Sequence, residues 1–137
     1  LTGVRAYLAR GDVAAAEEWS GRVGAVLRAR AIPGTLPAIG HGRALTLLAR
    51  GEVPAARQAL ESARESWRAR RRFWEGTWTL LDLATAAARA RRRGEAAGFL
   101  AETRTIAATA GATTLADEPS GSPGRSIRRG RLARGIR

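Results

Sequence analysis

The chain of 137 residues contains no cysteine, methionine, lysine or asparagine, and a single histidine. Without cysteine there is no disulfide, no thiolate metal site and no thiol nucleophile. Without lysine there is no G-x-x-x-x-G-K-[ST] phosphate loop. No G-x-S-x-G segment surrounds Ser20, Ser62 or Ser66. The acidic pairs Glu17/Glu18 and Asp117/Glu118 are adjacent in sequence, so on a helix they diverge. Long apolar runs are missing too. Thr79-Leu80-Leu81-Asp82-Leu83-Ala84 is cut by an acid, far short of the ~20 residues a bilayer span requires. No leader pattern is present. These absences lead to the expectation of a cytoplasmic, non-catalytic protein with no cofactor and no membrane association. The missing methionine and the start at Leu1 point to a piece of a longer protein.

What remains is a helix-forming composition. The hydrophobic share of 45% leans on alanine and leucine, with two Phe and one Tyr. Ala, Leu, Arg and Glu are good helix formers, and β-branched residues nowhere alternate long enough for a strand. All 24 basic residues are Arg, a bias that a GC-rich coding sequence also produces. The net charge is +12, and half of that excess lies in residues 119–137, which hold six Arg and no acid.

The chain is organised by a phrase that recurs. Leu47-Leu48-Ala49-Arg50-Gly51-Glu52-Val53 repeats Tyr7-Leu8-Ala9-Arg10-Gly11-Asp12-Val13, and Arg91-Arg92-Arg93-Gly94-Glu95-Ala96 is a worn copy. The glycines at 11, 51 and 94 stand 40 and 43 residues apart. A helix end, a glycine, an acid and an Ala-rich helix start at such a period mark stacked helical hairpins. The glycine suits a left-handed helix cap, and Asp12 suits the N-cap that follows.

Apolar periodicity then gives a truncated helix to Arg10, one over Val13–Arg30 and one over Ala38–Arg50. A further helix runs from Pro54 to Arg70, supported by a Glu61–Arg64 pair at i,i+3. Phe73 to about Arg92 is apolar on two sides and reads as the central helix. A shorter helix follows Gly94. Thr113–Glu118 could open one more, and the Ser/Gly/Pro/Arg-rich residues 119–137 read as a disordered tail. The expectation is an all-α fold, an α-solenoid of antiparallel hairpins over residues 1–118 with about five helices.

Two constellations stand out. Trp74 and Trp78 share a helical face, with Arg70, Arg71 and Arg72 beside them. They either fill space between hairpins or form an aromatic and cationic floor on a concave surface for a protein partner or small effector. His41, between Gly40 and Gly42, reads as a packing or hydrogen-bonding residue rather than a catalytic base. The arginine runs 68–72 and 89–93 and the tail raise weak direct nucleic-acid binding as an alternative, one that would be strongly salt-dependent. A solvated turn and a favourable helix C-terminal charge explain them as well.

Ile39-Gly40-His41-Gly42-Arg43-Ala44-Leu45-Thr46-Leu47-Leu48-Ala49-Arg50-Gly51-Glu52, with Trp74-Glu75-Gly76-Thr77-Trp78 and Ala110-Gly111-Ala112-Thr113, resembles one known family. These stretches are similar to the tetratricopeptide-like repeats of large bacterial LuxR-type transcriptional regulators carrying a STAND-type ATPase. The resemblance covers about residues 1–118. It implies a sensor or scaffold arm, with the ATPase upstream and a DNA-binding helix-turn-helix downstream as neighbouring domains. Neither neighbour occurs in this sequence, and no catalytic, metal or cofactor residue is carried over. A free-standing helical scaffold unrelated to transcription is the other reading left open.

Overall fold

The structure, a computed structural model, describes residues 1–32 and 34–111. The tail at 119–137 and the helix expected at Thr113 lie outside the described residues. Six helices follow one another: α1 (Thr2–Ala9), α2 (Val13–Ala29), α3 (Pro37–Ala49), α4 (Val53–Ala69), α5 (Phe73–Arg89) and α6 (Arg93–Thr109). No strand occurs among the described residues. Each helix packs on the next, and α3 also touches α1 and α5.

The count is six rather than about five: the truncated first segment is a helix of eight residues, and α6, expected to be shorter, is a full helix of 17 residues. It begins at Arg93, so Gly94 lies inside it rather than in a turn. A Cβ on Gly94 or Gly98 would meet open space, so these glycines cost only helix propensity, about 1 kcal/mol each. Burial of Ala96, Thr103 and Ala107 holds the helix in place.

The chain turns at Gly11, Ala31, Gly51, Arg71, Arg91 and Gly111, the residues with positive φ, one every 20 positions. The 40-residue spacing of the first two phrases is therefore two helix-plus-turn units. The 43-residue spacing came from aligning Gly94 with a turn that Arg91 makes. At four of these turns the bonds are those of a Schellman cap. Gly11 N–H donates to Leu8 O and Asp12 N–H to Tyr7 O; the pattern recurs at 51/52, 71/72 and 91/92. The second residue of each pair is also the N-cap of the next helix. Asp12 fills that role with its carboxylate, which accepts from Ala15 N–H at 2.9 Å. Arg72 and Arg92 have no acceptor to offer, and instead pair with Glu75 and Glu95 three residues on. α5 consequently ends at Arg89, three residues short of the expected Arg92.

The core is made of small and branched residues. Ala44, Leu48, Ala56, Leu60, Leu83 and Ala86 form its centre, with Val4, Ala16 and Leu45 as a second cluster under α1. Close approach is enforced by glycine at the α1–α2 contact, where a Cβ on Gly3 would lie 2.3 Å from the Trp19 indole nitrogen. Along the outer seam α4 is tied to α6 by two pairs one heptad apart, Arg57–Glu95 and Arg64–Glu102. The expected Glu61–Arg64 pair does not form. Arg64 faces α6, and Glu61 bonds Arg57 at 2.9 Å along its own helix instead.

Two predictions follow from these features. A left-handed non-glycine residue costs about 1–2 kcal/mol, so Arg71→Gly and Arg91→Gly should each raise stability by about 1 kcal/mol, with Gly51→Ala moving the other way. Denaturant melts check both directions. The Glu95 carboxyl is held below its ordinary value of 4.5, chiefly by the Arg57 hydrogen bond. Its stabilisation is full above that value and is lost as the pH falls through the lowered one. Acidification from about pH 6 to about pH 3 should lower the melting temperature of the wild type more than that of Glu95→Gln.

Candidate functional site

α5 starts where the Arg71 turn reverses the chain, and its first two turns carry the aromatic residues. Trp74 and Trp78, one turn apart, are 51% and 48% exposed. The Phe73 ring stands edge-on to Trp74 at 5.0 Å. The two tryptophans line a cleft of about 550 Å³ with Arg72, Glu75, Arg5, Leu1, Thr35 and Trp67. Arg72 Nε donates to Glu75 Oε1 at 2.9 Å. That bond holds the Glu75 carboxyl below its ordinary range, and partial burial opposes it. The Arg5 guanidinium sits over the Trp78 ring at 5.3 Å from its centroid, a cation–π geometry.

The expected surface is thus only partly assembled. Arg72, Trp74 and Trp78 share the cleft. Arg71 is absent from the cleft and lines a groove on the α6 side, which Arg72 also borders, and Arg70 lines another between α3 and α4, where it donates to Ser66 O at 3.1 Å. The three consecutive arginines thus do not share one surface: only Arg72 reaches the cleft, which sequence adjacency conceals.

Behind the cleft lies a polar network that the sequence reading did not identify. His41, fully buried, places Nε2 2.7 Å from Asp82 Oδ2. Trp67, 2% exposed, donates its indole N–H to His41 Nδ1 at 3.3 Å. An indole nitrogen is only a donor, so Nδ1 accepts and Nε2 carries the proton that it donates to Asp82. Thr79 spends its own hydroxyl proton on Glu75 O at 2.7 Å and approaches Nδ1 to 3.4 Å. Asp82 takes a two-pronged bond from Arg5, at 2.6 and 3.2 Å. Helices α1, α3, α4 and α5 therefore meet at one node. No buried side-chain nitrogen or oxygen of the described residues lacks a partner.

The network closes a circuit with the cleft. Arg5, fixed by Asp82, stacks on Trp78, and Trp67, fixed by His41, forms part of the cleft floor. The node positions the walls of the hollow while His41 itself stays out of solvent's reach. Two signals in the sequence pointed to it. Asp82 is the one charge between Thr77 and Ala88, and an acid in an apolar helix face must find a partner. The only histidine lies between glycines, where small neighbours leave room for a ring in the interior.

Among the described residues no group of three His, Cys, Asp or Glu side chains is placed to hold a metal. No protein-family model, curated protein or solved structure matches the chain.

The node predicts unequal costs. Asp82→Ala leaves the His41 N–H buried and unpaired and should cost about 3 kcal/mol. Arg5→Ala removes a half-exposed partner at the rim and should cost about 1 kcal/mol. Chemical denaturation of the two variants tests the difference; equal losses would show that burial of the His41 bond does not dominate.

Proposed function

We propose that the chain is a tetratricopeptide-like α-solenoid segment, acting as a non-catalytic interaction arm of a larger, cytoplasmic transcriptional regulator. Support for the repeat reading comes from the left-handed turns at every twentieth residue and from helices that pack in chain order. Such units bury their apolar faces only by stacking on neighbours, as α3 does between α1 and α5. The regulator context rests on the resemblance of residues 1–118 alone. None of the described helices is long and apolar enough to cross a membrane.

The observation that carries the binding role is the pair Trp74 and Trp78, half exposed beside Arg5 and Arg72 in a cleft with a buried scaffold behind it. Aromatic side chains and arginine dominate binding energies where they are rigidly presented. A tryptophan left half in water loses hydration cost when a partner covers it. In this reading the cleft receives a protein partner or a small effector. Arg68 and Arg89 lie in the last turns of α4 and α5, where a cation suits the helix dipole, whereas Arg72 and Arg92 are N-caps whose charge is answered by Glu75 and Glu95.

Trp78→Ala tests the reading. Affinity capture with the wild type and the variant in parallel should show a partner retained by the first and lost by the second. Loss of a hot-spot side chain weakens binding by about 2 kcal/mol or more, while the far-UV circular dichroism of the variant stays within error. An unfolded variant would make Trp78 a packing residue. Binding to duplex DNA that resists salt, or that survives deletion of 120–137, would remove the nucleic-acid alternative based on the tail.

A further inference from the structure

The side of α5 remote from the tryptophan cleft carries a second hollow. It lies among the end of α4, the start of α5 and α6, and encloses about 490 Å³, within the ~300–1,000 Å³ typical of small-ligand pockets. Its floor is apolar, built on Phe73, Leu80 and Ile106. Gly76 opens it further, because a Cβ there would meet no atom within 4 Å.

The rim is cationic. Arg64, Arg68, Arg71 and Arg72 surround the hollow, and among the described residues Glu102 is the one acid lining it. Glu102 is already bonded to Arg64, and Arg72 to Glu75. The guanidinium groups of Arg68 and Arg71 have no hydrogen bond or ion pair with any described residue. Arg71 occupies a left-handed position with φ 53°, where glycine, the residue at 11, 51 and 111, is the low-energy choice. Two unneutralised guanidinium groups therefore stand over an apolar floor of small-molecule size.

We propose that this groove binds a small amphipathic organic anion, an aromatic or short acyl group bearing a phosphate or carboxylate. The charged end lies against Arg68 and Arg71, and the apolar body covers Phe73, Ile106 and the gap at Gly76. Guanidinium groups match such oxyanions through paired N–H donors. A bare inorganic anion would leave the floor in water, and a neutral hydrocarbon would leave the charges unanswered. The groove shares only Arg72 with the tryptophan cleft, and the anion contacts fall on Arg68 and Arg71, so this assignment is tested independently of the interaction reading.

Calorimetric titration of the full chain with 1-naphthyl phosphate tests it, with inorganic phosphate and 1-naphthol as comparison probes. Naphthyl phosphate should bind at least about tenfold more tightly than either, a difference of ~1.4 kcal/mol. The double variant Arg68→Ala/Arg71→Gly removes both charges and relieves the strained turn. Gly76→Leu projects a side chain into the gap and improves helix propensity. Each should weaken naphthyl phosphate by about tenfold or more while melting at or above the wild-type temperature. Equal binding of inorganic phosphate, or unchanged affinity in both variants, overturns the proposal. A rise in affinity in Asp117→Asn/Glu118→Gln would overturn it as well, by assigning the groove to the chain's own acidic segment.

Discussion

The bond between His41 and Asp82 is the constraint on which the rest of this structure leans. A carboxylate taken into a helical core is costly unless its oxygens are engaged. Here one oxygen accepts from both the imidazole and Arg5, and the other accepts from Arg5 alone. The imidazole's remaining nitrogen has one suitable donor, the Trp67 indole. Satisfying a single buried acid thus sets the relative placement of four helices. An apolar core of alanines and leucines tolerates sliding of one helix past another by small steps. A hydrogen-bonded node does not, since a displaced donor leaves an unpaired group in the interior.

The turns divide the same labour between backbone and side chain. From Gly11 to Gly111 every twentieth residue adopts the left-handed conformation, whichever side chain it bears. At Gly11, Gly51 and Gly111 that conformation is free of strain. At Ala31, Arg71 and Arg91 it is imposed, because the flanking helices have fixed packing partners and the chain must reverse between them. Stacking of helix on helix therefore outweighs a local cost of about 1–2 kcal/mol per turn. The replacement of glycine and N-cap acid by arginine at 91/92 is what makes the downstream copy of the repeated phrase look worn, and the same replacement at 71/72 hides a turn of the same kind.

α5 is the element where structure and the proposed binding roles meet. One flank presents Trp74 and Trp78 to a cleft braced by the node, and the other borders the arginine-rimmed groove. Its interior face holds Leu80, Asp82 and Leu83 in the core. A helix apolar on more than one side has more neighbours than most, and the parts left uncovered by α4 and α6 become the hollows. The partial exposure of the tryptophans follows from that geometry, since α1 and the 34–36 loop reach only the edge of the cleft.

Helix content, helix order and most boundaries were legible in the sequence, because 3.6-residue periodicity and the Gly11–Asp12 and Gly51–Glu52 punctuation are local signals. The turn at Arg91 was not legible, since its left-handed residue is not a glycine and the nearby Gly94 offered a false landmark. Nor was the parting of Arg70 and Arg71 from the cleft that Arg72 lines, which depends on the rotation of a left-handed turn. Arg5, His41, Trp67 and Asp82 are separated by up to 77 residues. Periodicity by itself determined that each lies on a helix. Only the packing of α1, α3, α4 and α5 decided that they touch, because hydrogen-bond complementarity between distant residues acts after the helices have met.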